Sequence, residues 1–472
     1  MNEPRPTLVR RLGKWRAGRD EVDHDVAVVM AARLAMSSAR ALAAVIAPIY
    51  LALVGFDAFR LGMLFLAVAV TSALMSSSVG LLSDRIGRRP FLVAMPLLAA
   101  AAGLVFALTT RTVPLVVAAC LGTYGRGAGA GGGAVGPYQP AESALVTERV
   151  TAFRRNQAFG RLAFFSALGG LVGGLVAAVG APATASPAHV LEAFRWVFVA
   201  TAVLAAAAGL LALALEDEKH RGANRPPRTP VRFPRHSKAL LMRLWATNGV
   251  NGVAIGMFGP FVTYWFFRRY GASPAELGWL FAAVNVASLA STLSASATAR
   301  RLGIVRAIVW VRVVQGALLI PMVLMPSLWL AGGIYLVRMV VQRIGMPLRQ
   351  SYAVGMADPD ERSSVAALSN VPAQAAMAAS PVLAGYLFNE VSLALPFELG
   401  GALQIVNAAM YWAFFRHMSP EEEHQEQRGS AADIPGTGSA RGIGNGDGIG
   451  SGTAPAPSPS PGRYPEERGS AR

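Results

Sequence analysis

The 472-residue sequence predicts an all-α membrane protein of about twelve membrane-spanning helices, arranged as two pseudo-symmetric six-helix halves. Three observations predict it. Apolar stretches of about 20 residues recur along the chain, the length that crosses about 30 Å of hydrocarbon at about 1.5 Å per residue. Basic residues collect in alternate connections between those stretches. A group of residues in the second stretch recurs in the eighth at a constant offset of 216 positions.

Hydrophobic residues make up 53% of the chain, more than a soluble core would bury, so the lipid bilayer is the expected surrounding. Spans are expected near 27–54, 60–82, 90–109, 113–145, 159–180, 194–215, 240–267, 276–298, 304–325, 328–350, 363–388 and 394–416. The abundant Gly and Ala suit helices that approach closely in lipid. One set of connections carries Arg85, Arg88 and Arg89, then Arg149, Arg154 and Arg155, then the stretch from Lys219 to Lys238, then Arg300, Arg301 and Arg306, then Arg362. The opposite set holds only Arg60, Arg111, Arg195, Arg268 and Arg269. The positive-inside rule then puts both termini in the cytoplasm of a bacterial-type plasma (inner) membrane.

The net charge of +16 lies between the spans rather than on one face, so no nucleic-acid partner is expected. The basic N-terminal segment is followed by Asp20 to Asp25, and no cleavable signal peptide is expected. Cys120 is the only cysteine, which excludes an intramolecular disulfide and a multi-cysteine metal site. Neither cofactor nor metal is expected.

Five segments follow: a cytoplasmic N-terminal segment (1–26), an N-terminal six-helix half (27–215), a linker (216–239), a C-terminal six-helix half (240–417) and a tail (418–472). The linker carries Pro226, Pro227, Pro230 and Pro234 and cannot be embedded helix. The tail is Gly-, Ser- and Pro-rich and is expected to be disordered and cytoplasmic. Its stretch from Gly442 to Gly452 has the glycine spacing of a phosphate loop, but neither a strand before it nor a helix after it. The repeat pairs Leu61-Gly62, Leu64-Phe65, Ser72, Arg85 and Gly87 with Leu277-Gly278, Leu280-Phe281, Ser288, Arg301 and Gly303.

The segment Gly80-Leu81-Leu82-Ser83-Asp84-Arg85-Ile86-Gly87-Arg88-Arg89 resembles the signature loop of the major facilitator superfamily. Ser380-Pro381-Val382-Leu383-Ala384-Gly385 is similar to a segment of that family's eleventh helix, and the stretch from Arg126 to Ala134 resembles its fourth-helix motif. Gly129 stands where that motif usually has glutamine. In the fifth span Gly169-Gly170 and Gly173-Gly174 take the place of the antiporters' Gly-Pro pair. The resemblance covers roughly residues 27–416. It implies a monomeric secondary active transporter of a small organic solute working by alternating access, with export the expected direction. Uptake or exchange of an anionic metabolite stays open, with a proton or a counter-anion as coupling ion, as does a transport-silent receptor or scaffold of the same fold.

The resemblance also implies a conformational latch, in which Asp84, Arg85 and Arg88 of the signature loop engage Glu148 at the end of the fourth span. Loss of Arg88 is then expected to favour the inward-open state. The same fold would bring Arg40, Arg126 and Arg338, each roughly midway along its span, to a central aqueous site. A charge at that depth costs about 2.5–3.5 kcal/mol on insertion scales. No comparably central carboxylate is expected, so the arginines, with Tyr50, Tyr124, Asn251 and Tyr335, are candidates to bind an anionic group of the substrate. Arg33 is expected to snorkel, while Arg312 and Arg343 are assigned structural roles. Pro48, Pro260, Pro347 and Pro381 are expected to let helices bend. An enzyme is not expected, because His24, His189, His220, His236, His417 and His424 fall in loops, tails or span ends and no nucleophile or carboxylate pair accompanies them.

Overall fold

The computed structural model describes residues 8–124, 136–150, 154–180, 187–215, 233–234, 236–292, 303–358 and 360–417, all within one compact unit. Among the described residues there is no strand. The helices are α1 Leu8–Leu53, α2 Ala58–Ile86, α3 Arg89–Leu108, α4 Thr112–Gly122, α5 Gln139–Arg149, α6 Arg155–Gly180, α7 Pro187–Ala212, α8 Lys238–Phe258, α9 Val262–Tyr270, α10 Pro274–Thr292, α11 Ile304–Leu324, α12 Leu328–Gly355, α13 Arg362–Leu368, α14 Val371–Glu390 and α15 Leu395–Phe415. A 3₁₀ turn, Gly259–Phe261, joins α8 to α9.

Eight of these stretches are long and apolar enough to cross a membrane by length and composition. The expected spans at 276–298, 328–350 and 394–416 fall on α10, α12 and α15, which bury polar side chains at Asn285 and Ser288, Arg338, and Gln404 and Asn407. The span expected at 113–145 is built from α4 and α5. Most of the linker, the whole tail, Arg126, Arg300 and Arg301 lie outside the described residues.

Proline acts unequally. Pro48 and Pro381 sit inside continuous helices, whereas Pro260 coincides with the 3₁₀ break between α8 and α9. Asp57 caps α2 by accepting from the Arg60 amide at 2.7 Å.

Small residues set the helix contacts. In α6, Gly169 and Gly173 lie against the α1 backbone at Leu34 and Ser38, so this pair packs inside the N-terminal half. The neighbouring Gly170 and Gly174 face α10 at Asn285, Gly278 and Ala282, so the second pair packs across the halves. The same kind of approach joins α2 to α14, where Gly62 meets Pro381 and Gly385 meets Ala58. The Ala58 amide also donates to Asn389 Oδ1 at 3.1 Å, and Phe65 stacks edge-on against Phe261.

These cross-half contacts run from mid-helix to the face opposite the one where α1 starts and α15 ends. At the terminal face α2 and α14 turn to their own halves: Gly80 neighbours Pro140, and Pro372 neighbours Gly249. There Leu74, Leu81 and Ile86 of α2 and Val371 of α14 are exposed.

Candidate functional site

The N-terminal half holds a ladder of charges between α1 and the fourth span. Asp25 pairs with Arg149 at 2.8 Å, and Arg33 pairs with Glu142 through Nε at 2.9 Å and Nη2 at 2.5 Å. One rung further along, Arg40 donates to Thr123 Oγ1 at 2.7 Å and to the Thr123 carbonyl at 3.3 Å. The first span runs antiparallel to the fourth, so residues 25, 33 and 40 of α1 descend against 149 and 142 of α5 and then 123 at the end of α4. Arg33 therefore does not snorkel. It is 6% exposed and its partner Glu142 1%, a carboxylate in the first turn of α5 that lies nearer the end of the fourth span than the central depth at which none was expected.

Thr123 is the described non-glycine residue with positive φ, +54°, and it ends α4. A threonine held in the left-handed region is strained by about 1–3 kcal/mol and needs its surroundings to fix it. Arg40 supplies that fixing by gripping both its hydroxyl and its carbonyl. A helix terminus at membrane depth exposes carbonyls that must be satisfied, which is one role of Arg40 here. Beside this ladder Arg33, Met36, Pro96, Tyr138 and Glu142 line a small pocket with room for about one water.

In the C-terminal half Arg338 of α12 is fully buried. Its guanidinium carbon lies 4.3 Å from the centre of the Phe258 ring, which the α8 terminus presents just before the Pro260 break. One Nη donates to Gln342 Oε1 at 3.3 Å, while Nε and Nη2 meet no hydrogen-bond acceptor. Tyr335, one turn earlier on the same face, is edge-on to Phe266 and Phe281, and its hydroxyl is likewise unpartnered.

Three expected ligands are engaged elsewhere, each inside its own half. Tyr50 donates to the Phe106 and Thr109 carbonyls at 3.1 and 3.2 Å, Tyr124 to the Ala99 carbonyl at 2.6 Å, and Asn251 accepts from Arg312 and Gln404 at 3.0 and 3.3 Å. The two tyrosines thus fasten α1 and α4 to the backbone of α3, and Asn251 belongs to the interior of the C-terminal half. Arg126 lies outside the described residues.

Of the signature loop, Arg88 is 3% exposed and reaches Glu148 with both Nη atoms at 2.5 Å. Arg85 is exposed and Asp84 half-buried. The Arg88–Glu148 pair ties the α2–α3 corner to the end of α5, both in the same half. Arg89 adds a bond to the Leu213 carbonyl beyond α7.

Sequence reading missed Glu142, Asp25 and Thr123. The signal was present for the carboxylates: opposite charges eight residues apart on the first span, Asp25 and Arg33, and seven apart on the fourth, Glu142 and Arg149. That spacing keeps each pair on one helix face.

Two bundles of apolar helices that meet through glycines, each with buried charges in its own interior, define a multi-pass membrane protein of two similar halves. A family model for the major facilitator superfamily matches residues 29–248 and again 244–458, and the chain belongs to that family. No curated protein sequence matches it. Among solved structures it is similar to a bacterial homologue of the human lysosomal transporter Spinster in an inward-facing, unoccupied conformation (13% identity, TM-score 0.62, 83% of this chain and 96% of that one). It is also similar to the nucleoside transporter NupG (13%, 0.63, 84% and 99%) and to the human organic anion transporter MFSD10 (16%, 0.54, 83% and 99%). At these identities the likeness is one of fold: two halves of the kind used by secondary transporters of small solutes.

Proposed function

We propose that the chain carries a small organic solute with an anionic group across the membrane by alternating access, and that Arg338 and Tyr335 of one half and Arg40 of the other meet that group. The observation that carries this reading is Arg338: a fully buried guanidinium whose Nε and Nη2 meet no acceptor among the described residues, one turn from Tyr335, whose hydroxyl is likewise unpartnered among them. Arginine keeps its proton, so a site of this kind asks for an anion. Charge distribution supports both termini being cytoplasmic, and with that orientation the face where α2 and α14 turn to their own halves is the inward one. Export is the direction we assign.

Thermal unfolding of the purified chain against pools of anionic, neutral and cationic metabolites tests the reading, with Arg338→Gln and Arg40→Ala alongside. A ligand at about 100 times its Kd adds about 2.7 kcal/mol. Stabilisation by anions that is lost in Arg338→Gln supports the site. Stabilisation by cations or neutral compounds that survives in both variants overturns it.

One observation favours protons as the coupling ion over a counter-anion. Glu142 is a buried carboxylate beside a pocket, in an ion pair that a proton would break. Uptake into proteoliposomes that is driven by a pH gradient in the parent and indifferent to it in Glu142→Gln would support proton coupling; a gradient response retained in that variant would remove Glu142 from the pathway.

A further inference from the structure

The C-terminal half contains a buried cation, Arg312, that meets no carboxylate among the described residues. Arg312 of α11 is 2% exposed and stands eight residues, about 12 Å, along its helix. Nη1 donates to Asn251 Oδ1 at 3.0 Å, while Nε and Nη2 have no hydrogen-bond partner. The guanidinium carbon is 5.5 Å from the Tyr411 ring centre, and the Tyr411 hydroxyl, 1% exposed, is also unpartnered. Arg349 of α12 is a second positive charge within electrostatic reach of both Arg312 and Tyr411.

Residues 236–417 contain six carboxylates, and none answers this charge. Glu276 is held by Ser273 at the start of α10. Glu361 accepts from the His236 and Ser237 amides. Asp358, Asp360, Glu390 and Glu398 are exposed. The other half shows the contrast. There residues of the first, third, fourth and sixth spans line the pocket at Arg33 and its acid Glu142; here the seventh and twelfth spans bring two amides and a phenol to Arg312 of the ninth, and the tenth brings a second arginine. A buried guanidinium cannot neutralise itself by losing its proton, and an uncompensated charge in an apolar interior is heavily penalised.

We propose that a small monovalent inorganic anion of halide size binds between α8, α11 and α15, held by Nε and Nη2 of Arg312 and by the Tyr411 hydroxyl. This site is separate from the one formed by Arg338 and Tyr335, and the ion is a fixed constituent of the C-terminal half rather than the transported solute. Asn251 and Gln404 position the guanidinium by bonding its third edge, directly and through a shared amide oxygen. All the polar partners named are neutral or cationic, so the site rejects cations.

The test is thermal unfolding of the full chain in detergent, titrated with sodium chloride or bromide against sodium methanesulfonate at constant ionic strength. The parent should show a saturable rise in Tm with either halide. Tyr411→Phe, which keeps the ring against Arg312, should need roughly tenfold more halide, the factor expected when one hydrogen bond to a charged group is lost. Arg312→Gln should show no halide response, and Arg338→Gln should respond as the parent does, which separates this proposal from the substrate reading. Crystals grown in bromide should give an anomalous peak beside Arg312. A parent without a halide response, or a response unchanged in both Arg312→Gln and Tyr411→Phe, overturns the proposal; if Arg312→Gln does not fold, the Tyr411→Phe titration and the bromide peak decide it.

Discussion

Gly62 and Gly278 hold equivalent places in the two halves, and each lies against the backbone of a helix from the other half. A Cβ on Gly62 would collide with the Pro381 carbonyl, and one on Gly278 would sit 2.6 Å from the Gly174 carbonyl oxygen. The repeat therefore keeps glycine where the halves must touch to close the face opposite the termini. Leucine at either position should wedge that face open. Overpacking of this kind costs about 1–3 kcal/mol, enough to move a two-state equilibrium by roughly tenfold. With Cys120 replaced by alanine and a cysteine placed at Ala47, thiol labelling from the opposite face should accelerate in Gly62→Leu and Gly278→Leu. Unchanged labelling would mean that the contact does not gate that face.

The Arg33–Glu142 pair supports a stability prediction. Removing one partner of a buried ion pair strands the other charge at a cost of about 3–5 kcal/mol, while replacing both with apolar residues is often close to neutral. Glu142→Ala should lower the unfolding temperature sharply, and Arg33→Met with Glu142→Leu should recover most of the loss. A double variant no more stable than the single one would show that the pair is not coupled in this way.

The fold was legible because most spans announce themselves locally: length and apolarity mark eight of them, and Leu61-Gly62 repeated as Leu277-Gly278 marks the two halves. Polar side chains were less legible, because what an arginine does depends on what a distant helix brings to it. Arg33 looked like a snorkelling residue until α5 placed Glu142 against it, 109 positions away. Tyr50 looked like a ligand because it stands in a cavity-lining span, yet its hydroxyl turns into the bundle toward α3. Nothing local to Arg312 distinguishes it from a packing arginine; only the absence of any acid among residues 236–417 positioned to meet it does.

Tyr50 gives a prediction that separates packing from binding. Its hydroxyl bridges two carbonyls at the end of α3, and its ring is edge-on to Phe194 and Phe198. Tyr50→Phe keeps the ring contacts and loses the bonds, so stability should fall by about 1 kcal/mol. Solute affinity, measured by the ligand-induced shift in Tm, should stay at the parent value. An affinity loss of tenfold with unchanged stability would return Tyr50 to the substrate site.

The Arg88–Glu148 pair tests the latch implied by the signature loop. The pair is fully formed in a structure whose cross-half contacts lie toward the opposite face, and both of its members belong to the N-terminal half. An interaction made equally in two states shifts neither when it is removed, and one made only in the present state would, when lost, favour the other. In neither case does Arg88→Ala enrich the state seen here, whereas the family resemblance leads to the expectation that it favours the inward-open one. Spin labels at Leu81 and Gln374, on the exposed surfaces of α2 and α14 at the terminal face, should report a distance distribution in Arg88→Ala that is unchanged or moved toward shorter separations. The charge swap Arg88→Glu with Glu148→Arg should restore the parent distribution if the pair is state-dependent. A shift toward longer separations in Arg88→Ala would instead mean that Arg88 holds the terminal face closed through a further contact made only after the halves come together there, and the latch would stand as first expected.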